Sequence, residues 1–104
     1  MGKMNKPLLM TAVKNRFKKV GEYEFYLKNI NINGVKKGCS GFIKNPQNEK
    51  IVYINTESSC YQPLSDKILY RTAESLRDWT GGRNQWCKED ELVKSVSMIL
   101  EGVK

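Results

Sequence analysis

The sequence predicts an α+β fold in the order α-β-β-β-(β)-α, an antiparallel sheet of three or four strands with two helices packed on one face. Apolar residues recur with the 3.6-residue period of a helix near both ends of the chain, and with the two-residue period of a strand between them. The dipeptide Asn33-Gly34, typical of a two-residue hairpin turn, separates two strand-like segments. A chain of 104 residues suits one domain with one modest hydrophobic core.

The first helix is predicted to begin near Pro7 and to end before Gly21. Proline suits the first helical position because its missing N–H would have no partner there, and glycine is common just after a helix. The apolar face of this helix has spacings of four, four and three residues and consists of Leu9, Val13, Phe17 and Val20.

Three strands of a meander are predicted next. The first begins at Glu22 and places Tyr23, Phe25 and Leu27 on one face. Two isoleucines at positions 30 and 32 have the opposite parity, which predicts either a bulge near residues 28–29 or a strand with apolar residues on both faces. The second strand is predicted over 35–44 and the third over 50–55, joined by a turn at 45–48.

The last third of the chain is less regular. Residues 56–65 are predicted to form a loop, and residues 67–73 a strand or a short helix, with β-branched residues favouring the strand. Residues 78–87 are predicted to be irregular around Gly81-Gly82, and the second helix is predicted from Lys88 to about Glu101. The single domain, 1–104, is thus divided into a basic helix and hairpin (5–55), a loop and short strand (56–87) and a C-terminal helix (88–101).

The composition excludes several enzyme classes. Without histidine there is no Ser-His-Asp triad, no Cys-His dyad and no imidazole-bound metal. Cys39, Cys60 and Cys87 lie far apart in the sequence and form no C-x-x-C pair, so we expect buried thiols rather than a metal site. We therefore predict no catalytic residues, no metal and no cofactor. We also expect a cytoplasmic protein, in a bacterium or a host cell, because no apolar run is long enough for a signal peptide or a membrane span.

Positive charge is concentrated in the first half of the sequence. The chain has 18 Lys and Arg against 11 acids, a net charge of +7, yet residues 1–50 hold eleven of these cations and three acids. Such asymmetry is typical of a surface that binds a polyanion, with DNA or RNA the first candidate, and lysine favours contact with the phosphate backbone. The candidates for phosphate contacts are Lys14, Arg16, Lys18, Lys19, Lys36, Lys37 and Arg83.

Three aromatic residues are candidates for stacking on bases: Tyr26, Trp79 and Trp86. The two tryptophans bracket Gly81-Gly82, where backbone N–H groups could approach an anion clamped by Arg83. The alternative interpretation is that both tryptophans fill the edge of the core and the glycines form a tight turn.

Two comparisons with known families bear on function. The element order is similar to that of the double-stranded RNA-binding domain, but the second helix of that family opens with a basic cluster, whereas Lys88 is followed here by three acids, so membership is not predicted. In length and composition the chain resembles short accessory proteins of phages and mobile elements of low-GC bacteria, including inhibitors of host defence nucleases. This resemblance implies an alternative function, in which the basic face binds an acidic or nucleic-acid-binding groove of a host protein or nucleoprotein, for example a CRISPR-type nuclease. A merely solvated basic surface is the third interpretation, and the sequence predicts no oligomeric state.

Overall fold

The part of the chain that the structure describes folds into a five-stranded antiparallel sheet and two α-helices. The structure, a computed structural model, describes residues 8–57, 67–79 and 81–102. Within them the elements are α1 (Met10–Lys18), β1 (Glu24–Ile32), β2 (Val35–Asn45), β3 (Lys50–Asn55), β4 (Lys67–Ala73), β5 (Gln85–Lys88), a 3₁₀ turn (Glu89–Glu91) and α2 (Leu92–Leu100). Strand order in the sheet is β1-β2-β3-β4-β5, so every strand pairs with its neighbour in the chain. The predicted α+β fold is confirmed, with five strands where three or four were predicted.

The hairpin turn between β1 and β2 is the one that the sequence predicts. Asn33 and Gly34 have φ angles of 53° and 78°, and positive φ at both central positions matches the twist of the flanking strands. Of the two alternatives predicted for β1, the bulge near residues 28–29 is not found, because pairing with β2 is continuous from Glu24 to Ile30. The strand instead carries apolar residues on both faces, with Phe25 and Leu27 packed on the first core and Ile30 on the opposite face. The irregularity lies instead in β2, where Lys37 is the extra residue between the partners of Ile30 and Asn31.

Both helices cover the same face of the sheet, as predicted. Val13 and Phe17 of α1, and Leu92, Val96 and Leu100 of α2, are fully buried. They pack against alternate sheet residues of the first core cluster, among them Ile43, Val52 and Ile54. Helix α1 packs on β1 and β2, and α2 packs on β3, β4 and β5.

The opposite face of the sheet carries no helix among the described residues, and we call it the helix-free face. It holds a second, smaller core. Phe42, Ile51, Tyr53 and Leu69 are buried there, covered in part by residues from the β4–β5 connection and by Trp86. Residues 85–87 were predicted to be irregular, but with Lys88 they form β5 by pairing with β4. A four-residue strand is too short to show a two-residue period, so the sequence pattern does not predict it. It becomes a strand by pairing with β4.

The helix ends differ by a few residues from those predicted. Helix α1 ends at Lys18, and Val20 is 54% exposed rather than part of the apolar face. The second helix does not begin at Lys88, which belongs to β5, and a 3₁₀ turn precedes α2. Residues 67–73 form a strand, the favoured alternative. Pro7, Cys60 and the predicted loop from residue 58 onward lie outside the described residues.

Helices of membrane-spanning length and hydropathy are absent from the part of the chain that the structure describes.

Candidate nucleic-acid interface

Helix α1 runs antiparallel to β1. Its first backbone N–H, that of Met10, donates to Oδ1 of Asn29, at 3.0 Å. Near its other end, the ring of Phe17 lies 6.2 Å from the ring of Tyr23, just before β1. Lys18 is therefore level with the start of β1, and the beginning of α1 is level with its second half.

The cations of α1 divide between two sides of the helix. Arg16 Nη2 donates to Oε2 of Glu89 at 2.7 Å, so Arg16 faces α2 and its charge is balanced. Each residue turns a helix by about 100°, which places Lys14 about 160° from Arg16 and Lys18 next to Lys14. Lys14 and Lys18 therefore face away from α2, toward the β1 edge of the sheet.

Strand β1 and its partner add further cations along the same edge. Tyr26 pairs with Phe42 and Lys28 pairs with Ser40, so both project on the helix-free face. Lys36 pairs with Asn31 and projects on the side of the helices. We call the residues along this edge the β1 flank: Lys14, Lys18, Tyr26, Lys28 and Lys36.

The β1 flank is an elongated strip rather than a compact patch. Lys18 is level with Tyr23, and Lys36 is level with Asn31, eight residues farther along. At about 3.3 Å per residue these two ends are separated by about 26 Å. The helix lysines and the hairpin lysines thus lie at opposite ends, with Lys28 between them. Lys19 lies just after α1 and Lys37 lies in the bulge, and both are exposed.

Four acids reduce the positive charge near the start of β1, and one of them, Glu101, accepts a hydrogen bond from the Tyr23 hydroxyl at 2.5 Å. Glu22 and Glu24 are exposed, and the Tyr26 hydroxyl donates to Oε1 of Glu24 at 2.9 Å. This hydrogen bond raises the pKa of Tyr26, while the nearby charge of Lys44 acts in the opposite direction. Lys44 itself lies 3.0 Å from Glu49, which raises the lysine pKa. Lys28 and Lys36 lie farther along the strands, beyond these acids.

The two tryptophans have different surroundings. The ring of Trp79 lies 4.8 Å from Phe42 and 5.7 Å from Tyr53, yet 51% of the residue is exposed. Trp86 pairs with Leu69 and is half-buried against the second core. Trp79 therefore presents a surface that a base could contact, whereas Trp86 contributes mainly to packing.

The buried cation Arg71, which was not among the predicted site residues, anchors the β4–β5 connection that carries Trp79. Arg71 is 2% exposed, and its guanidinium carbon lies 4.5 Å from the centre of the Tyr53 ring. Its Nη2 donates to the carbonyl of Asp78 at 2.7 Å, and the Asp78 carboxylate accepts the N–H groups of Glu74 and Gly81. The sequence contains a pattern that could have indicated this role. Arg71 has the same strand parity as Leu69 and Ala73, and a cation is unusual on an apolar strand face.

The Gly81-Gly82 segment serves the closure of this loop. The N–H of Gly81 donates to Asp78 and so is already used within the loop. Gly82 has a φ of 79°, and a Cβ there would lie 2.6 Å from the carbonyl oxygen of Thr72. Arg83 is exposed beside the start of β5, four strand spacings or about 19 Å from β1. The structure therefore does not bring Arg83 together with the predicted lysines.

The described cysteines are buried. Cys39 and Cys87 are 0% and 4% exposed, and burial raises the pKa of the Cys39 thiol to about 11, against a smaller opposing effect of Thr56. Such a thiol is almost entirely protonated at neutral pH and a poor nucleophile. Across residues 8–57, 67–79 and 81–102, Cys, Asp and Glu side chains form no group of three placed to hold a metal ion.

No protein-family model, curated protein or solved structure matches this chain. The charge and geometry of the β1 flank are accordingly the basis for a functional proposal.

Proposed function

We propose that this chain is a non-enzymatic binding protein of the cytoplasm that engages nucleic acid through the β1 flank and the adjoining Lys19 and Lys37. The observation that carries the proposal is the alignment of lysines, exposed except for the half-buried Lys14, along one edge of the sheet. Arg16 faces away from that edge and is balanced by Glu89. Between positions 25 and 48 the chain has four lysines and no acid. A strip of cations of this kind attracts phosphates and releases their counterions.

The length of the strip sets the size of the ligand that would use all of it. For a duplex, a span of about 26 Å corresponds to about eight base pairs at 3.4 Å per step of B-form DNA. Lysine is a point charge on a flexible stem and reads no base edge in a bidentate manner. We therefore expect weak dependence on base sequence and, on a duplex, a minimum site of about eight base pairs.

Salt dependence measures how many cations take part. For duplex DNA, three phosphate contacts by Lys14, Lys18 and Lys19 give a log-log slope of about −3. Engagement of Lys28, Lys36 and Lys37 as well gives about −5. Fluorescence anisotropy with labelled 16-nucleotide DNA and RNA, single- and double-stranded, across 20–200 mM salt distinguishes these cases.

Matched charge reversals identify the face that binds. Lys18→Glu on α1 and Lys94→Glu on α2 change the net charge equally, and both positions are exposed. We expect Lys18→Glu to weaken binding at least tenfold and to reduce the slope by about 1, and Lys94→Glu to have a much smaller effect. Absence of binding to every probe at 20 mM salt, or equal effects of the two variants, would refute the proposal.

A second candidate function is supported by the tip of the β1–β2 hairpin. Ile32 and Val35 form a cross-strand pair there and are 43% and 51% exposed. Exposed apolar pairs favour a protein contact, which fits the alternative of an accessory protein that inhibits a host protein or nucleoprotein. This candidate predicts a stoichiometric complex on size exclusion that survives nuclease treatment and is lost in Ile32→Ser. Loss of the partner under nuclease favours direct nucleic-acid binding.

A further inference from the structure

Two exposed aromatic residues neighbour one buried ring on the helix-free face, Tyr26 by strand pairing and Trp79 by ring contact. Phe42 is 1% exposed, whereas Tyr26 is 46% and Trp79 is 51% exposed. Tyr26 is the cross-strand partner of Phe42, and the Trp79 ring lies 4.8 Å from the Phe42 ring. Tyr26 and Trp79 with the neighbouring Lys28 are called the aromatic platform below.

The rings of the platform are held in place. Trp79 also contacts the Tyr53 ring, at 5.7 Å, and its loop is fixed through the contacts between Arg71 and Asp78. Tyr26 is oriented by its hydrogen bond to Glu24. A ring that is already ordered loses little conformational entropy when a ligand stacks on it.

Cations accompany these rings. Lys28 follows Tyr26 by two residues on the same face of β1 and is exposed. Lys44 is also nearby, because it pairs across the strands with Glu24, which accepts the Tyr26 hydrogen bond. Glu49 lies 3.0 Å from Lys44 and balances its charge, so Lys28 is the cation of the platform that remains for a phosphate. A groove that binds single strands combines aromatic rings, on which bases stack, with cations that meet the phosphates.

We propose that the aromatic platform stacks unpaired bases, so that the nucleic acid engaged by the β1 flank is single-stranded. This inference rests on the proposed function and adds the class of nucleic acid. In a duplex the bases are stacked on each other and their faces are closed to a protein ring, whereas unpaired bases can be turned outward. A second copy of this chain is a poorer occupant, because it would bring the lysines of two platforms together.

Ring deletions test the platform directly. The probes are a single-stranded 16-nucleotide DNA and the same sequence as a duplex. For Tyr26→Ala and Trp79→Ala we expect single-strand affinity to fall by about 5- to 150-fold each, with duplex affinity and the salt slope unchanged. The matched controls are Tyr26→Phe, which keeps the ring, and Met98→Ala, which removes an equally exposed apolar side chain from α2; neither should weaken binding more than twofold.

The outcomes separate this inference from the proposed function. If none of the DNA and RNA probes binds, both are overturned. If Lys18→Glu weakens binding while the ring variants have no effect, or if the duplex binds as tightly as the single strand, only the platform is overturned. If the ring variants change their elution volume on size exclusion while their affinity for nucleic acid is unaltered, the rings form a protein contact instead. This outcome also overturns the platform.

A fluorescence measurement avoids dependence on the folding of Trp79→Ala. The chain has two tryptophans, so in Trp86→Phe the emission comes from Trp79. Saturating single-stranded DNA should quench this emission, because a stacked base deactivates the excited indole. Unchanged emission at saturation contradicts the proposal.

Discussion

Removal of the Asp78 carboxylate should loosen the whole helix-free face. The substitution Asp78→Ala leaves the Arg71 guanidinium, whose side chain is 3% exposed, without its nearby negative charge. It also removes the acceptor of two backbone N–H groups, those of Glu74 and Gly81. Trp79 follows Asp78 directly, so the contacts of its ring depend on the same anchor.

The magnitude follows from the burial and the distances. Breaking a buried ion pair costs about 3–5 kcal/mol when one charge is left behind. The closest approach of the two charged groups is 3.9 Å, and the carbonyls of Thr72 and Asp78 still accept hydrogen bonds from Arg71. Both facts place the expected loss at the lower end, about 3 kcal/mol. With a urea m-value of about 1.5 kcal/mol/M, the unfolding midpoint should fall by about 2 M.

Urea unfolding followed by far-UV circular dichroism and by tryptophan fluorescence measures this loss. Glu74→Ala is the matched control, because it removes an exposed acid from the same loop and should change stability by less than about 0.5 kcal/mol. Adding Arg71→Met to Asp78→Ala should restore part of the loss, since no buried charge remains. A cost of Asp78→Ala equal to that of Glu74→Ala, or a double variant less stable than Asp78→Ala, would show that the ion pair does not anchor the loop.

Three further perturbations have expected outcomes. Partial burial and Glu101 raise the pKa of Tyr23 to about 12. Because this pKa exceeds the unfolded value of about 10, the free energy of unfolding should decrease between pH 10 and 12. Thermal unfolding at pH 9 and 11.5 should show a smaller decrease in Tyr23→Phe than in the unaltered protein. Gly41 has a φ of 142°, and a Cβ there would lie close to the β1 backbone. In urea unfolding, Gly41→Ala should therefore lower the free energy of unfolding by at least about 3 kcal/mol, and Gly34→Ala, where the space is open, by about 1–2 kcal/mol. Equal losses in the two variants would contradict this reasoning. Iodoacetamide at pH 8 should label Cys39 at least about 100-fold more slowly in the native than in the unfolded protein, as followed by mass spectrometry. The reason is that a thiol with a pKa of about 11 has little thiolate at this pH. Comparable rates in the two states would mean that the native thiol is accessible.

Local patterns predicted the parts of the fold that depend on neighbouring residues. The Asn33-Gly34 turn was predictable because positive φ is a property of those residue types. The helices were predictable because Val13, Phe17 and the apolar residues of α2 repeat with the helical period. Strand β5 was not, since four residues carry no period and become a strand only by pairing with β4.

The candidate site was predictable in composition but not in arrangement. The surplus of lysine in residues 1–50 is a property of the sequence. The direction in which α1 crosses the sheet is not, and this direction places Lys18 and Lys36 at opposite ends of β1. The contact between Arg71 and Asp78 was missed for a related reason, because the partner of a cation on an apolar strand face lies in a loop with no pattern of its own.

The order of the strands has an electrical consequence. Because β1 to β5 follow one another across the sheet as they do along the chain, a difference in charge between the two halves of the sequence becomes a difference between two sides of the molecule. The surplus of lysine is therefore concentrated on the β1 and β2 side of the sheet, although Glu89 and Glu101 of the second half contact Arg16 and Tyr23 there. Such an asymmetry turns an approaching polyanion toward the β1 side before any contact forms, so the association rate should depend more steeply on ionic strength than the dissociation rate.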